Sequence, residues 1–308
     1  MHAYRSMIDC LLNYSAPTLE SQFTSGMFHL DTAGQMDAVT ADANVGLKTR
    51  RKYSETSKEF ELLGPLHSDI FFCDRLLLNG VDLKVKLVRA RDEFCLMAAQ
   101  DSTFKLHVLG ASLFVKKVQV SAAVRLGHEA ALASSNALYP IQRVVMKSYA
   151  IPQGSRVYTQ ENLFQGNLPS TIVLSLVDSR AYSGTPELNP LNFLHANCNF
   201  LSLYVDGKAL PTAPFKPRYP DGFYTRKYYN LFVAGGRHLK DSSLAITKDM
   251  FRKGYTLYHF NLNRDDENDG AFSPSRQGCL RLEIQSASVR NPVLEINARR
   301  QILLDLKK

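Results

Sequence analysis

Asp265, Glu267, Asp269 and Gly270 alternate as the first ligands of a calcium loop do, with the glycine where the chain must bend. The twelfth position, which has to supply a bidentate carboxylate, is Arg276, so the segment reads as a solvated acidic turn. None of the eight histidines belongs to an H-x-H pair, through which several ligands can converge on one metal from one strand face. His195-Ala-Asn-Cys198 comes closest and lacks both the second imidazole and the carboxylate. Nucleophilic chemistry finds no G-x-S-x-G elbow, and the five cysteines, at 10, 73, 95, 198 and 279, form no C-x-x-C pair and show no activating partner. Phosphate-loop chemistry needs G-x-x-x-x-G-K-S/T, and no such string occurs; Gly235-Gly236-Arg237-His238 reads as plain loop. The residues therefore predict no enzyme, no cofactor and no metal.

What remains is charge. Thirty-seven Lys and Arg against 29 Asp and Glu give +8 and an isoelectric point near 9.2, a balance that favours polyanions as neighbours. Two clusters stand out: Lys48, Arg50, Arg51, Lys52 and Lys58, opposed only by Glu55, and the stretch from Lys216 to Lys253, where nine Lys and Arg face three Asp. Lys48, Arg50, Arg51, Lys52, Arg226, Lys227, Arg237 and Lys240 are the candidate polyanion contacts. Only Tyr224, Tyr228 and Tyr229 could serve as a stacking platform beside them, so contact with double-stranded DNA would be non-specific and salt-sensitive.

The elements that carry these residues are mostly strands. With 308 residues, 45% of them apolar, the chain fits one large domain or two ordinary ones. Its longest apolar runs, such as Thr171 to Val177, are too short to cross a bilayer as a helix, which predicts no membrane association. Ala3 to Tyr14 is the best helix candidate, with Tyr4, Met7, Ile8, Leu11 and Leu12 spaced three and four apart. From Leu62 the period changes to two. Ser68 to Leu78 and Val81 to Arg91 flank Asn79-Gly80, a type I′ turn pair, which predicts a hairpin; Phe104 to Val120 predicts two more strands. Ser121 to Asn136 is Ala-rich and polar and reads as a linker. Further strands are predicted at Arg143 to Ile151, Ser170 to Val177, Asn199 to Val205, Tyr255 to Leu262 and Cys279 to Gln285, joined by long loops rich in Pro and Gly. This is an all-β pattern, and among sandwiches the jelly roll fits it best.

Many strings along the chain resemble one family. The first block carries Ala3-Tyr-Arg, Leu11-Leu-Asn-Tyr14, Asp31-Thr-Ala-Gly34, Met36-Asp-Ala38, Leu62-Leu-Gly-Pro-Leu-His67, Leu78-Asn-Gly-Val-Asp82, Leu87-Val-Arg-Ala-Arg-Asp92 and Phe94-Cys-Leu-Met97. The second carries Tyr139-Pro-Ile, Arg143-Val-Val-Met-Lys147, Ile151-Pro-Gln-Gly154, Asn162-Leu-Phe, Gly166-Asn-Leu-Pro169, Leu176-Val-Asp178 and Asn189-Pro-Leu-Asn-Phe193. It closes with Leu203-Tyr-Val-Asp-Gly207, Gly254-Tyr-Thr-Leu257 and Gly278-Cys-Leu-Arg-Leu-Glu-Ile284. In order and spacing these resemble the double jelly-roll major capsid proteins of Polinton (Maverick) elements and their viral relatives.

That resemblance implies a structural capsid subunit with two jelly rolls in one chain, the first incomplete because family members carry further strands before the Ala-Tyr-Arg string. It places a partial first jelly roll at 1–127, a linker at 128–138 and a second jelly roll at 139–308, with short helices in the connections. It further implies a trimer within a capsid lattice around double-stranded DNA, found in virions and in the nucleus or cytoplasm of a host, and a truncated or genome-integrated copy. The alternative is a host-retained, non-enzymatic jelly-roll module that binds a ligand or polyanion.

Overall fold

Among the described residues eight strands form, closed by turn residues: β1 (Ala137–Ala150), β2 (Val157–Gln160), β3 (Thr171–Asp178), β4 (Cys198–Val205), β5 (Lys208–Phe215), β6 (Tyr258–Asn261), β7 (Leu280–Ser286) and β8 (Pro292–Leu306). The coordinates are a computed structural model that describes residues 2–40, 42–99, 102–164, 166–263, 276–287 and 292–306. The strands make two antiparallel four-stranded sheets, ordered β1-β8-β3-β6 and β2-β7-β4-β5. β1 thus pairs with β8, β2 with β7, β3 with β6 and β4 with β5, as when a long hairpin hinged at β4–β5 is rolled up. That is the strand order of a jelly roll.

The sheets share one core. Ile172, Leu174 and Leu176 of β3 and Leu294, Ile296 and Ala298 of β8 join Leu201 and Leu203 of β4 and Leu280, Leu282 and Ile284 of β7. Each such side chain removed from water stabilises the fold by roughly 1.5–3 kcal/mol. β3 is buried on both faces because a helix covers the outer side of its sheet, and its sequence is accordingly an almost unbroken apolar run rather than an alternating one.

That helix is α1 (His2–Asn13), whose Tyr4, Ile8, Leu11 and Leu12 enter the same core. Arg299 of β8 pins it by donating Nη2 to Asp9 Oδ1 at 2.7 Å, and Arg237 donates Nη2 to the Asn13 carbonyl at 2.6 Å. The other helices are α2 (Ala16–Glu20), α3 (Val45–Ser54), α4 (Asp92–Cys95), α5 (Ala122–Ser134), α6 (Ser179–Ser183), α7 (Thr225–Ala234) and α8 (Lys248–Arg252). The Ala-rich stretch read as a linker is thus largely helix α5, capped by Ser121 Oγ accepting from Val124 N and exposed along its length. High alanine content favours helix wherever no strand partner competes.

The strands predicted between Ser68 and Val120 do not form. The turn at Asn79-Gly80 is present, with Gly80 at φ +84°, yet neither flank pairs, and Val81, Leu83, Val85 and Leu87 are exposed. A two-stranded ribbon is marginal in water, and among the described residues no apolar layer covers this one. Residues 69–78 instead run along the outer edge of β1. Val144 N donates to Asp69 Oδ1 at 3.2 Å, Arg75 Nη1 to the Leu138 carbonyl at 2.8 Å, and Leu78 N to Tyr139 Oη at 3.1 Å. The segment thereby occupies hydrogen-bonding groups that would otherwise leave β1 an open edge.

Candidate functional site

The eight basic residues singled out in the sequence fall on α3, on α7 and in the loop that follows α7, and into three environments. On α3, Lys48, Arg51 and Lys52 face solvent, with Lys48 paired to Asp42 at 2.8 Å. Arg50 is turned inward, donating to the His29 carbonyl at 2.6 Å and to Asp31 Oδ1 at 2.5 Å. Around α7, Arg226 and Lys240 are exposed, although Arg226 is held over the Phe215 ring by hydrogen bonds to the Ala213 and Pro214 carbonyls. Arg237 is partly buried on α1. Lys227 is only 1% exposed and presents no charge to solvent. The calcium-like turn at Asp265, Glu267, Asp269 and Gly270 lies outside the described residues.

Lys227 is buried because it falls on the inner face of α7 with Tyr224, Leu231 and Ala234, at helical spacing. Its Nζ lies 4.0 Å from the Phe260 ring centroid and 4.1 Å from that of Phe215, and donates to the His259 carbonyl at 3.1 Å. Burial holds its ammonium pKa well below the ordinary range, with Arg226 adding in the same direction and Cys198 opposing. Burial likewise drives His259 down to about 3 and the Cys198 thiol up to about 12. Titratable groups here are kept neutral by desolvation.

A second grouping has no trace in the sequence. Cys10 Sγ lies 3.7 Å from His67 Nε2, and His67 Nδ1 lies 3.9 Å from Asp9 Oδ2, the layout of a nucleophile, a base and an orienting carboxylate. Its electrostatics run the other way. Burial, with Asp9's charge adding, pushes the Cys10 thiol up to about 12, and burial lowers His67 despite Asp9. Asp9 is meanwhile engaged by Arg299 at 2.7 Å and Arg5 at 3.6 Å. A thiol that stays protonated in a closed site is a packing group.

The third arrangement is open. Asp31-Thr-Ala-Gly34, Met36-Asp-Ala38, Asn189-Pro-Leu-Asn-Phe193 and Gly254-Tyr-Thr-Leu257 meet at one end of the sandwich. Asn189 donates its backbone N to Asp37 Oδ1 and its Nδ2 to Asp31 Oδ2, and Asn192 Nδ2 donates to Asp37 Oδ2, each at 2.8 Å. Tyr255 Oη donates to the Asp31 carbonyl at 2.7 Å, and Gly34 N to the Lys253 carbonyl at 2.8 Å. Gly254 must be glycine, for its φ is +108° and a Cβ would collide with Met36 Sδ. Between residues 34–38, 192–197 and 252–254 these contacts leave a cleft of about 390 Å³. His195 stacks on Tyr219, with centroids 4.1 Å apart, beneath one wall.

No family model matches the chain. A curated relative, "Uncharacterized protein F54H12.2" of Caenorhabditis elegans, is 24% identical over 282 residues, which covers 90% of this chain and 65% of the relative. The chain thus spans just under two thirds of that relative's length. Among described residues no helix is long and apolar enough to cross a membrane. Two solved structures are similar at low scores: the PBCV-1 virus capsid quasi-atomic model, with a TM-score of 0.37, and PBCV-1 VP54 fitted into a cryo-EM reconstruction of the virophage Sputnik, with 0.36. Each is 10% identical and covers 58% of this chain and 52% of its own. At such scores the assignment of the fold rests on the strand order itself.

Proposed function

We propose that the chain is a structural capsid subunit of the Polinton (Maverick) double jelly-roll kind, which acts by self-association and carries no catalytic site. The observation that bears most weight is the strand order β1-β8-β3-β6 and β2-β7-β4-β5, a jelly roll produced by a chain whose strings resemble that family from Ala3 to Ile284. Fold alone leaves function open. The surface adds a second reason, since Phe104, Leu109, Leu113, Phe114 and Val115 are exposed in one run. An apolar stretch of that size on a folded protein is suited to burial against another chain.

In this reading the segment from Ser68 to Val120 belongs to the partial first jelly roll, whose strands pair only on assembly into trimers and a lattice. The exposed Lys48, Arg51, Lys52, Arg226 and Lys240 then supply non-specific contact with duplex DNA inside a virion. Multi-angle light scattering across protein concentration, with electron microscopy of the same samples, tests it. Trimers or particles are the expected result, and a concentration-independent monomer overturns it. A host-retained binding module is the second reading, favoured by the open cleft; it predicts that monomer together with a saturable ligand.

A further inference from the structure

We propose that the cleft between residues 34–38, 192–197 and 252–254 is an anion site, taking a small ligand with an oxyanion head and a hydroxylated body. About 390 Å³ is within the size range of small-molecule sites. Its walls are already organised. Phe193 N donates to the Gly254 carbonyl at 2.8 Å and Thr256 N to the Phe193 carbonyl at 3.1 Å, and the Asp31 and Asp37 carboxylates tie the opposing loops together. A site built in advance spends little of its binding energy on ordering itself.

Charge selects the ligand class. Asp37 is the only carboxylate in the lining, and each of its oxygens already accepts a hydrogen bond, from Asn189 N and from Asn192 Nδ2. Lys253 is paired with Asp249 at 3.0 Å. Arg252, at the end of α8, lines the cleft without a hydrogen bond or ion pair among the described residues. A guanidinium offers a planar fork that grips phosphate or carboxylate through two parallel hydrogen bonds. Beside it, Gln35 and Asn197 supply carboxamides that can meet hydroxyl groups on either side of a hydrogen bond. His195 accepts from Asn197 N through Nδ1 at 2.9 Å, which places the proton of its neutral ring on Nε2.

Isothermal titration of the full chain with glucose 6-phosphate, glucuronate, inorganic phosphate and glucose tests the site and separates its sources. The expected result is saturable binding of glucose 6-phosphate, glucuronate or both, none of glucose, and binding on the order of tenfold or more weaker in Arg252→Gln. Equal binding of inorganic phosphate would assign recognition to the oxyanion head alone and would remove the hydroxylated body from the proposal. Lys208→Gln, which changes net charge equally at the β4–β5 turn, outside the cleft lining, should bind as the parent does. Absence of binding by all the anions, or equal weakening in both variants, overturns the anion site. Either result leaves the oligomeric state, and so the capsid reading, to its own test.

Discussion

Replacing Lys227 by Met removes one titrating group and keeps most of its packing volume, so the pair isolates what the buried amine does to stability. Lys227 is 1% exposed, its Nζ donates to the His259 carbonyl, and no carboxylate forms an ion pair with it among the described residues. Burial therefore depresses its pKa in the folded chain, whereas in the unfolded chain the ordinary value of 10.5 applies. The sign follows from proton counting. At any pH between the two values the folded chain holds the amine neutral and the unfolded chain binds one more proton, so stability rises with pH at up to about 1.4 kcal/mol per unit. Two units within that window change the difference between parent and Lys227→Met by about 2.7 kcal/mol. Because the chain contains no Trp, far-UV circular dichroism during urea titration is the suitable readout, repeated at several pH values from neutral to 9. His259 and Glu295 titrate in both proteins, so their contributions cancel to first order. The parent should gain on the variant as pH rises, and the variant should be the more stable of the two near neutrality. Parallel lines for the two proteins would show that Lys227 keeps its proton in the fold, and the desolvation argument would fail.

Three further outcomes are expected. Glu295 is fully buried on β8 with neither carboxylate oxygen hydrogen-bonded among the described residues, and burial raises its pKa from 4.5 to about 7; the folded chain holds the extra proton, so stability should fall as pH rises between those values by a few kcal/mol, roughly 1.4 per unit, and Glu295→Gln should flatten that part of the urea profile. Gly254→Ala should cost about 2 kcal/mol or more in thermal denaturation, through the collision with Met36 and the φ of +108°, and Met36→Ala should restore part of the loss if the collision contributes. Iodoacetamide near neutral pH should label the exposed Cys95 and Cys279 and spare Cys10, and mass spectrometry showing Cys10 alkylated as fast as those two would reinstate the Cys10, His67 and Asp9 grouping as a reactive centre.

Local pattern was enough wherever an element's partners were close at hand or its burial was nearly uniform. Ser170 to Val177 reads as a strand and Thr171–Asp178 is one, its burial on both faces coming from the fold, and Leu280, Leu282 and Ile284 alternate as a half-buried strand should. Tyr4, Ile8, Leu11 and Leu12 announce the buried face of α1, and Tyr224, Lys227, Leu231 and Ala234 stand at the same helical spacing, a signal that could have placed Lys227 inside rather than among the surface cations. Val81 to Arg91 alternates just as well and forms no ladder, because alternation specifies which face of a strand is apolar and only a neighbouring strand can accept its hydrogen bonds. Composition fixed the excess of positive charge; which cations reach solvent was decided by packing, which buried Lys227, turned Arg50 toward Asp31 and left Arg252 beside the cleft. Cys10 and His67 are 57 positions apart, and residues 34–38 meet 192–197 and 252–254 only when the chain has rolled up. Sites of that kind are properties of the closed fold, because the side chains that form them have no local spacing to reveal them.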